Sequence, residues 1–437
     1  MSPHLGLQRI MVPSAQVSSL TTGSVSLPSA RGAYSYKPDI VQWVSNVVNN
    51  GSGNINMTDM TMAVTSSNLI YCGGSGTGIG NVPSWWVQDT TGTYLEKKQF
   101  SSLTGWYMAQ LYGDTAGNIY TAVGSGAGDV VAAKLSSTGT ILWQKNVNGG
   151  TSGSLAVSPD GSRLVVRSSS VEVDKWVVLD GSNGSVVYAR QSNARSTNNA
   201  YIFKMSDTKI YTSGYERDGS NQGFVRQYTT STGGQDWSVW YNDSQYSVST
   251  SLFYDSSGNV YMGGYHQSDN YFVKINSSGS LVWARTFGGG QAFPKQGAVD
   301  SQGNVYVQHN NGTVGYLIKF NSSGTVQWQR SIYGSANTSN SGNVEVLDDN
   351  NILVTFSASD GSRVNAYQMI VPADGSKTGT YTVGGKSITY TPSSLSISSK
   401  GGTMSASQGS SSVTMTVTDA GLGTVSTWSN TTGLTNI

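Results

Sequence analysis

Residues 316–332 read YLIKFNSSGTVQWQRSI: an apolar run, a polar turn ending at Gly324, then a second apolar run with Trp328 four residues after the glycine. β-Branched and aromatic residues on both sides of an Asn-Ser-Ser-Gly turn predict two antiparallel strands joined tightly. The pattern recurs at YFVKINSSGSLVWARTF from Tyr271, WVVLDGSNGSVVYARQS from Trp176 and AAKLSSTGTILWQKNV from Ala132. With the glycine as a ruler, the marks fall at Gly92, Gly139, Gly184, Gly233, Gly279, Gly324 and Gly375, at intervals of 47, 45, 49, 46, 45 and 51. A second hairpin lies upstream of each, as in TAGNIYTAVG from Thr115, SSGNVYMGGY from Ser256 and SQGNVYVQH from Ser301. Four short strands recurring every 45 to 50 residues are the signature of propeller blades.

The expected fold is therefore all-β: a seven-bladed β-propeller of four-stranded antiparallel blades over residues 51–385, with an extended N-terminal arm (1–50) and a Ser/Thr/Gly-rich β extension (386–437). A twisted four-stranded sheet leaves a wedge against its neighbour, and a wide aromatic ring fills it. Trp143, Tyr188, Trp237, Trp283 and Trp328 occupy that slot, with Gly139, Gly184, Gly233, Gly279 and Gly324 in the turns; the units at Gly92 and Gly375 lack the aromatic. Lys145, Arg190, Arg285 and Arg330 follow two positions later. They read as edge protection and inter-blade hydrogen bonding, with a cationic ring for a ligand as the alternative. DIVQWVSNV from Asp39 resembles the fourth-strand pattern VQWQRSI, so Ile40 to Val47 is expected to pair with the last blade and close the ring. The extension alternates apolar residues with Ser and Thr, and is expected to add strands to a small appended unit or to a neighbouring molecule.

Composition narrows the function classes. Only 11% of residues are charged, yet 24 Tyr and 11 Trp supply large apolar surfaces that disordered chains lack. A net charge of +1 with no basic block excludes phosphate-tracking contacts, so neither nucleic acid nor an anionic bilayer is an expected partner. No stretch approaches the roughly 20 apolar residues of a membrane span, so no membrane insertion is expected. Cys72 alone cannot form an intrachain disulfide. The opening MSPHLGLQRIMVPSAQ has no charged leader with an apolar core, and no secretion signal is read there.

The chemistry-bearing residues are sparse. His4, His266 and His309 are the only histidines and hold inequivalent positions, so neither a metal site nor a Ser/His/Asp triad is expected. The turns beginning at Asp114, Asp255 and Asp300 offer one carboxylate each, where calcium would want about six to eight oxygens; capping of the turn is the expected role. GGSGTGIG from Gly73 lacks the Lys-Ser/Thr ending of a phosphate loop, and no cofactor is expected. The Asn276-Ser-Ser and Asn321-Ser-Ser triplets carry little weight in a chain this rich in those residues.

GSLVWARTFGGG followed by GAVDSQGNVYV resembles the short repeat of bacterial seven-bladed propellers, and KLSSTGTILWQ is similar to the tryptophan-docking repeat of quinoprotein dehydrogenases. The resemblance covers residues 57 to about 385 and implies fold, not activity; those dehydrogenases use adjacent cysteines, and here Cys72 stands alone. GSVSLPSARGAYS and the Ser/Thr-rich C-terminus resemble virion structural proteins of tailed phages, particularly those of marine cyanobacteria. That resemblance implies a non-enzymatic virion protein, made in the host cytoplasm and present in many copies. Such a protein would be fixed to other virion proteins through residues 1–50 and 386–437, on tail, fibre or capsid exterior, with a host-surface glycan as a further partner. The alternatives are a bacterial cell-surface or periplasmic propeller binding glycan or protein, and a polysaccharide-degrading enzyme with paired carboxylates at the propeller mouth.

Overall fold

In a computed structural model the described residues are 44–47 and, from 61 to 435, the strands and most of the turns between them. Every described element is a strand, turn or bend; there is no helix among them. They form seven sheets, a number equal to that of the repeats, and each sheet has four antiparallel strands as its core, a meander in all but the last. Sheet 1 spans Thr61–Phe100, sheet 2 Tyr107–Asn148, sheet 3 Leu155–Ser192, sheet 4 Asn199–Asn242, sheet 5 Ser247–Phe287 and sheet 6 Gly297–Gly334. Sheet 7 is built from Ser339–Asp348, Asn351–Ser359, Val364–Pro372 and, as its fourth strand, Val44–Val47. The first strand of each sheet lies against that of the next, and Ser339–Asp348 of sheet 7 lies against Thr61–Val64 of sheet 1, so the circuit closes. The fold is a β-propeller.

Closure comes from the N-terminal segment, as its pattern predicts. Val44 faces Met369 and Val47 faces Ala366, antiparallel. Trp43, the residue that would fill the aromatic slot, lies just outside the described residues, as do His4 and the rest of the arm to residue 42. The propeller boundary therefore moves from residue 51 to include 44–47. The unit at Gly375 differs from its expected form for the same reason: the strand after it, Gly379–Val383, does not return to sheet 7 but pairs with Lys386–Pro392 at the edge of sheet 6. The place it would have taken is already filled by 44–47.

The described strands of the extension do not form a separate unit; they pair with the propeller's own sheets. Lys386–Pro392 pairs with the outer strand of sheet 6, Ile397–Ser399 with that of sheet 5, Thr403–Ala406 with sheet 4, Ser410–Ser412 with sheet 3, Val417–Asp419 with sheet 2, Val425–Thr427 with sheet 1 and Leu434–Thr435 with sheet 7. A strand with an open edge leaves backbone donors and acceptors unpaired. Here the chain's own tail pairs part of that edge on every sheet.

The core lies between sheets. One cluster joins Phe272 and Trp283 of sheet 5 to Val307, Ile318 and Phe320 of sheet 6; another joins Val123 and Val131 of sheet 2 to Trp85 and Phe100 of sheet 1. This follows from the alternation of each strand, which puts apolar side chains on both faces because both faces meet a neighbour.

Candidate functional site

Two ends of the propeller differ chemically. At one end the first and second strands are joined by short turns, and three of these are near copies. Asp114 accepts hydrogen bonds from the backbone N–H groups of Ala116 (2.9 Å) and Asn118 (2.8 Å), from Asn118 Nδ2 (2.8 Å) and from Tyr120 Oη (3.0 Å). Asp255 does the same with Ser257, Asn259 and Tyr261, and Asp300 with Gln302, Asn304 and Tyr306. The carboxylates are consumed as turn caps, the role expected of them. Burial, then the adjacent carboxylate, drives the Tyr120 and Tyr261 phenols far above their ordinary range, so they stay neutral donors. Asp300→Ala removes the cap and leaves the buried Tyr306 hydroxyl without its acceptor. We expect a loss of about 1–3 kcal/mol, read from the shift in denaturation midpoint.

The aromatic slot works across sheets. Trp143 donates from Nε1 to the carbonyl of Gly181 (3.1 Å), Trp237 to Ser277 (2.9 Å), Trp283 to Ser322 (3.1 Å) and Trp328 to Ala373 (3.1 Å), while the Tyr188 hydroxyl donates to Thr230 (2.7 Å). Each acceptor lies in the turn that follows the third strand of the next sheet. The turn glycine has a corresponding purpose: it lies under the aromatic of the preceding sheet, not of its own. A Cβ built on Gly324 (φ +77°) would sit 2.7 Å from Cδ2 of Trp283, and one on Gly184 would sit 2.9 Å from Cε3 of Trp143. Gly233 stands in the same relation to Tyr188, Gly279 to Trp237 and Gly375 to Trp328, whereas Gly139 is a positive-φ turn residue in sheet 2.

The basic residues join this contact. Arg285 Nε donates to the Gly324 carbonyl (2.7 Å), Arg330 Nε to Gly375 (2.7 Å) and Arg190 Nη2 to Thr232 (3.0 Å). Lys145 lies beside Gly184. These are the inter-blade hydrogen bonds of the first reading; the guanidinium groups point into the next turn, which leaves the cationic-ring alternative without support. A set that sequence reasoning missed is Lys134, Lys274 and Lys319, which donate to the same carbonyls as Trp143, Trp283 and Trp328 and lie 5.0–5.3 Å from the ring centres of Tyr120, Tyr261 and Tyr306. Their signal was present: a lysine five residues before the turn glycine in each of the Lys134, Lys274 and Lys319 repeats.

At the other end run the connections between sheets and those between second and third strands, many of which lie outside the described residues. Beneath them, polar groups pair across sheets. The Gln110 side-chain carbonyl of sheet 2 accepts from the Ser154 hydroxyl and Leu155 N–H of sheet 3. Ser213 of sheet 4 bonds Ser249 of sheet 5, Ser247 accepts from the Gly223 N–H, and Gln308 of sheet 6 accepts from the Gly342 N–H of sheet 7. Apart from the half-buried Gln110, these residues are almost fully buried where sequence alone showed only scattered Ser and Gln. The collar fixes the first strands and with them the roots of the connections, a suitable base for loops that bind.

His309 ends the second strand of sheet 6, fully buried and stacked between Phe287 (5.3 Å, 28°) and Tyr316 (6.0 Å, 22°). His266 stands at a strand end opposite Asp269 and Ser247, far from equivalent. Among the described residues no three of His, Cys, Asp and Glu converge as a metal site would need.

The profile of the family described as outer membrane protein assembly factor BamB, a PQQ-type repeat, matches residues 126–367 and 221–434. More than half of the chain is matched, and the protein belongs to this propeller family. No curated protein sequence matches the chain. Among solved structures it is similar to the Dos1 propeller, with 11% identity over 75% of this chain and 95% of that one and a TM-score of 0.49. It is also similar to the hydrazine synthase of Kuenenia stuttgartiensis (10% identity, 60% and 76% covered, TM-score 0.45) and to a Lactobacillus plantarum protein (14% identity, 61% and 82% covered, TM-score 0.45).

Proposed function

We propose that this protein is a non-enzymatic propeller that presents its loop-bearing end to a partner while its opposite end and rim serve the fold. The observation that carries this is the fate of the recurrent carboxylates. Asp114, Asp255 and Asp300, the acids that repeat, each bind two backbone N–H groups, an amide and a phenol of their own sheet, and hold no geometry for general acid or base work. The finer reading is a virion structural protein of a tailed phage, attached through the N-terminal arm and contacting a host-surface glycan. Its support is the arm sequence GSVSLPSARGAYS, which precedes the closing strand in the chain.

A second reading, a bacterial cell-surface or periplasmic propeller, is supported by membership of a family named for an outer membrane assembly factor. One experiment separates them. Peptide mass spectrometry of purified phage particles and of the host envelope fraction is expected to find the chain in the particles; its presence in the envelope alone establishes the second reading and ends the first. Incubation with host polysaccharide is expected to leave chain length unchanged, and shortening of the polymer would overturn the non-enzymatic role.

A further inference from the structure

The tail visits the sheets in the reverse of their order in the chain, 6, 5, 4, 3, 2, 1 and then 7. It does more than pair edges. Leu395 and Ile397 pack into the cluster shared by Phe287 of sheet 5 and Phe320 of sheet 6. Met404 packs into the cluster of Tyr241 and Tyr271, in sheets 4 and 5, and Met415 into that of Val147 and Leu155, in sheets 2 and 3. Each plug packs against a cluster that draws its residues from two sheets, and twist opens the wedge between sheets widest at the periphery. The Gln329 amide and the Tyr241 hydroxyl tie the tail further, donating to the carbonyls of Leu395 (3.1 Å) and Gly401 (2.7 Å).

The last described strand then lands on the closing strand: Leu434 faces Val47 and Thr435 faces Asn46. Val44–Val47 is thereby paired on both sides, by Val364–Pro372 and by the tail. A four-residue strand held on one side is the weakest joint of a ring. Here it cannot leave until the tail has been lifted.

We propose that residues 393–435 are a peripheral clamp laid down after ring closure, whose function is to make opening slow. Its binding surface is composite: two-sheet clefts and a closing strand exist only once the propeller has formed. Clamp contacts are therefore absent from the transition state of folding, and contacts of that kind act on the unfolding rate and leave the folding rate alone. Kinetic resistance of this sort suits a protein that must persist without disulfides.

The test uses full-length protein with a site-specific protease sequence placed between Lys400 and Gly401, folded first and cut afterwards. Cutting is expected to leave the far-ultraviolet circular dichroism unchanged and to raise the unfolding rate in denaturant at least tenfold. The uncut double variant Met404→Ala/Met415→Ala is expected to unfold several-fold faster and to refold within twofold of the parent. An unfolding rate unchanged by the cut overturns the clamp, and so does a plug variant that refolds more slowly while unfolding at the parental rate.

Discussion

Trp283→Ala is expected to destabilise the propeller by about 3–5 kcal/mol, seen as a lower denaturation midpoint. The indole is only 7% exposed and lies among Tyr261, Phe272 and Phe320 at ring distances of 6.2, 5.6 and 6.0 Å. Truncation empties a space bounded by two sheets, neither of which can collapse into it, because each is also held by its other neighbour. Arg285, whose guanidinium lies 5.5 Å from the ring centre, loses its platform as well. Trp283→Phe keeps much of the apolar area and gives up the bond to Ser322, so a loss near 1 kcal/mol beyond the packing change is expected. Trp328→Ala is expected to cost less than Trp283→Ala, since that ring is only half-buried. Equal costs at the two positions would show that the rings act through something other than burial.

Acidification is expected to weaken the fold from about pH 6.5 down to pH 4, a window that opens well above the range in which carboxylates titrate. Burial holds the His309 imidazole at a pKa of about 4, below its ordinary 6.5. Neither ring nitrogen has a hydrogen-bond partner among the described residues. The folded protein keeps this ring neutral while the unfolded chain protonates it, so stability is full above 6.5 and falls as pH drops through the window. At about 1.4 kcal/mol per pKa unit the loss is on the order of 3 kcal/mol. His309→Phe preserves the stack on Phe287 and Tyr316 and cannot titrate. Denaturation midpoints of this variant are expected to stay level between pH 7 and pH 4.5 where those of the parent decline. Parallel curves for parent and variant would place the acid sensitivity elsewhere. Asp160 and Asp180 do not confuse the comparison, because hydrogen bonds from Ser158 and Ser162 and from Ser182 hold them below the usual carboxylate range.

The repeat was legible because most blade strands are six to ten residues long and the inner ones are buried on both faces, which writes long apolar runs at a fixed period. The closing strand was legible too, since VQW recurs in DIVQWVSNV and TVQWQRSI. What sequence could not give was direction: Gly324 and Trp328 are neighbours in the chain, yet Gly324 supports Trp283 and Trp328 rests on Gly375. A local motif cannot say which neighbour its parts serve. The tail was opaque for a different reason. Its strands after 393 have two to four residues, too short for an alternation to build up. Only the spaced single plugs Leu395, Met404 and Met415 hinted at successive sockets. The buried polar collar was invisible because Ser, Thr and Gln at its positions look like the Ser and Thr that fill the surface.

A tail that spends one short segment on every sector, and finishes on the strand that joins the two ends of the disc, also acts as a gauge of sector number. Duplicating or deleting one repeat, the usual way such arrays grow and shrink, would leave Leu434–Thr435 a segment short of its mate or overshooting it. Repeat number and tail length can therefore change only together, which ties the size of this disc to the last few dozen residues of the chain.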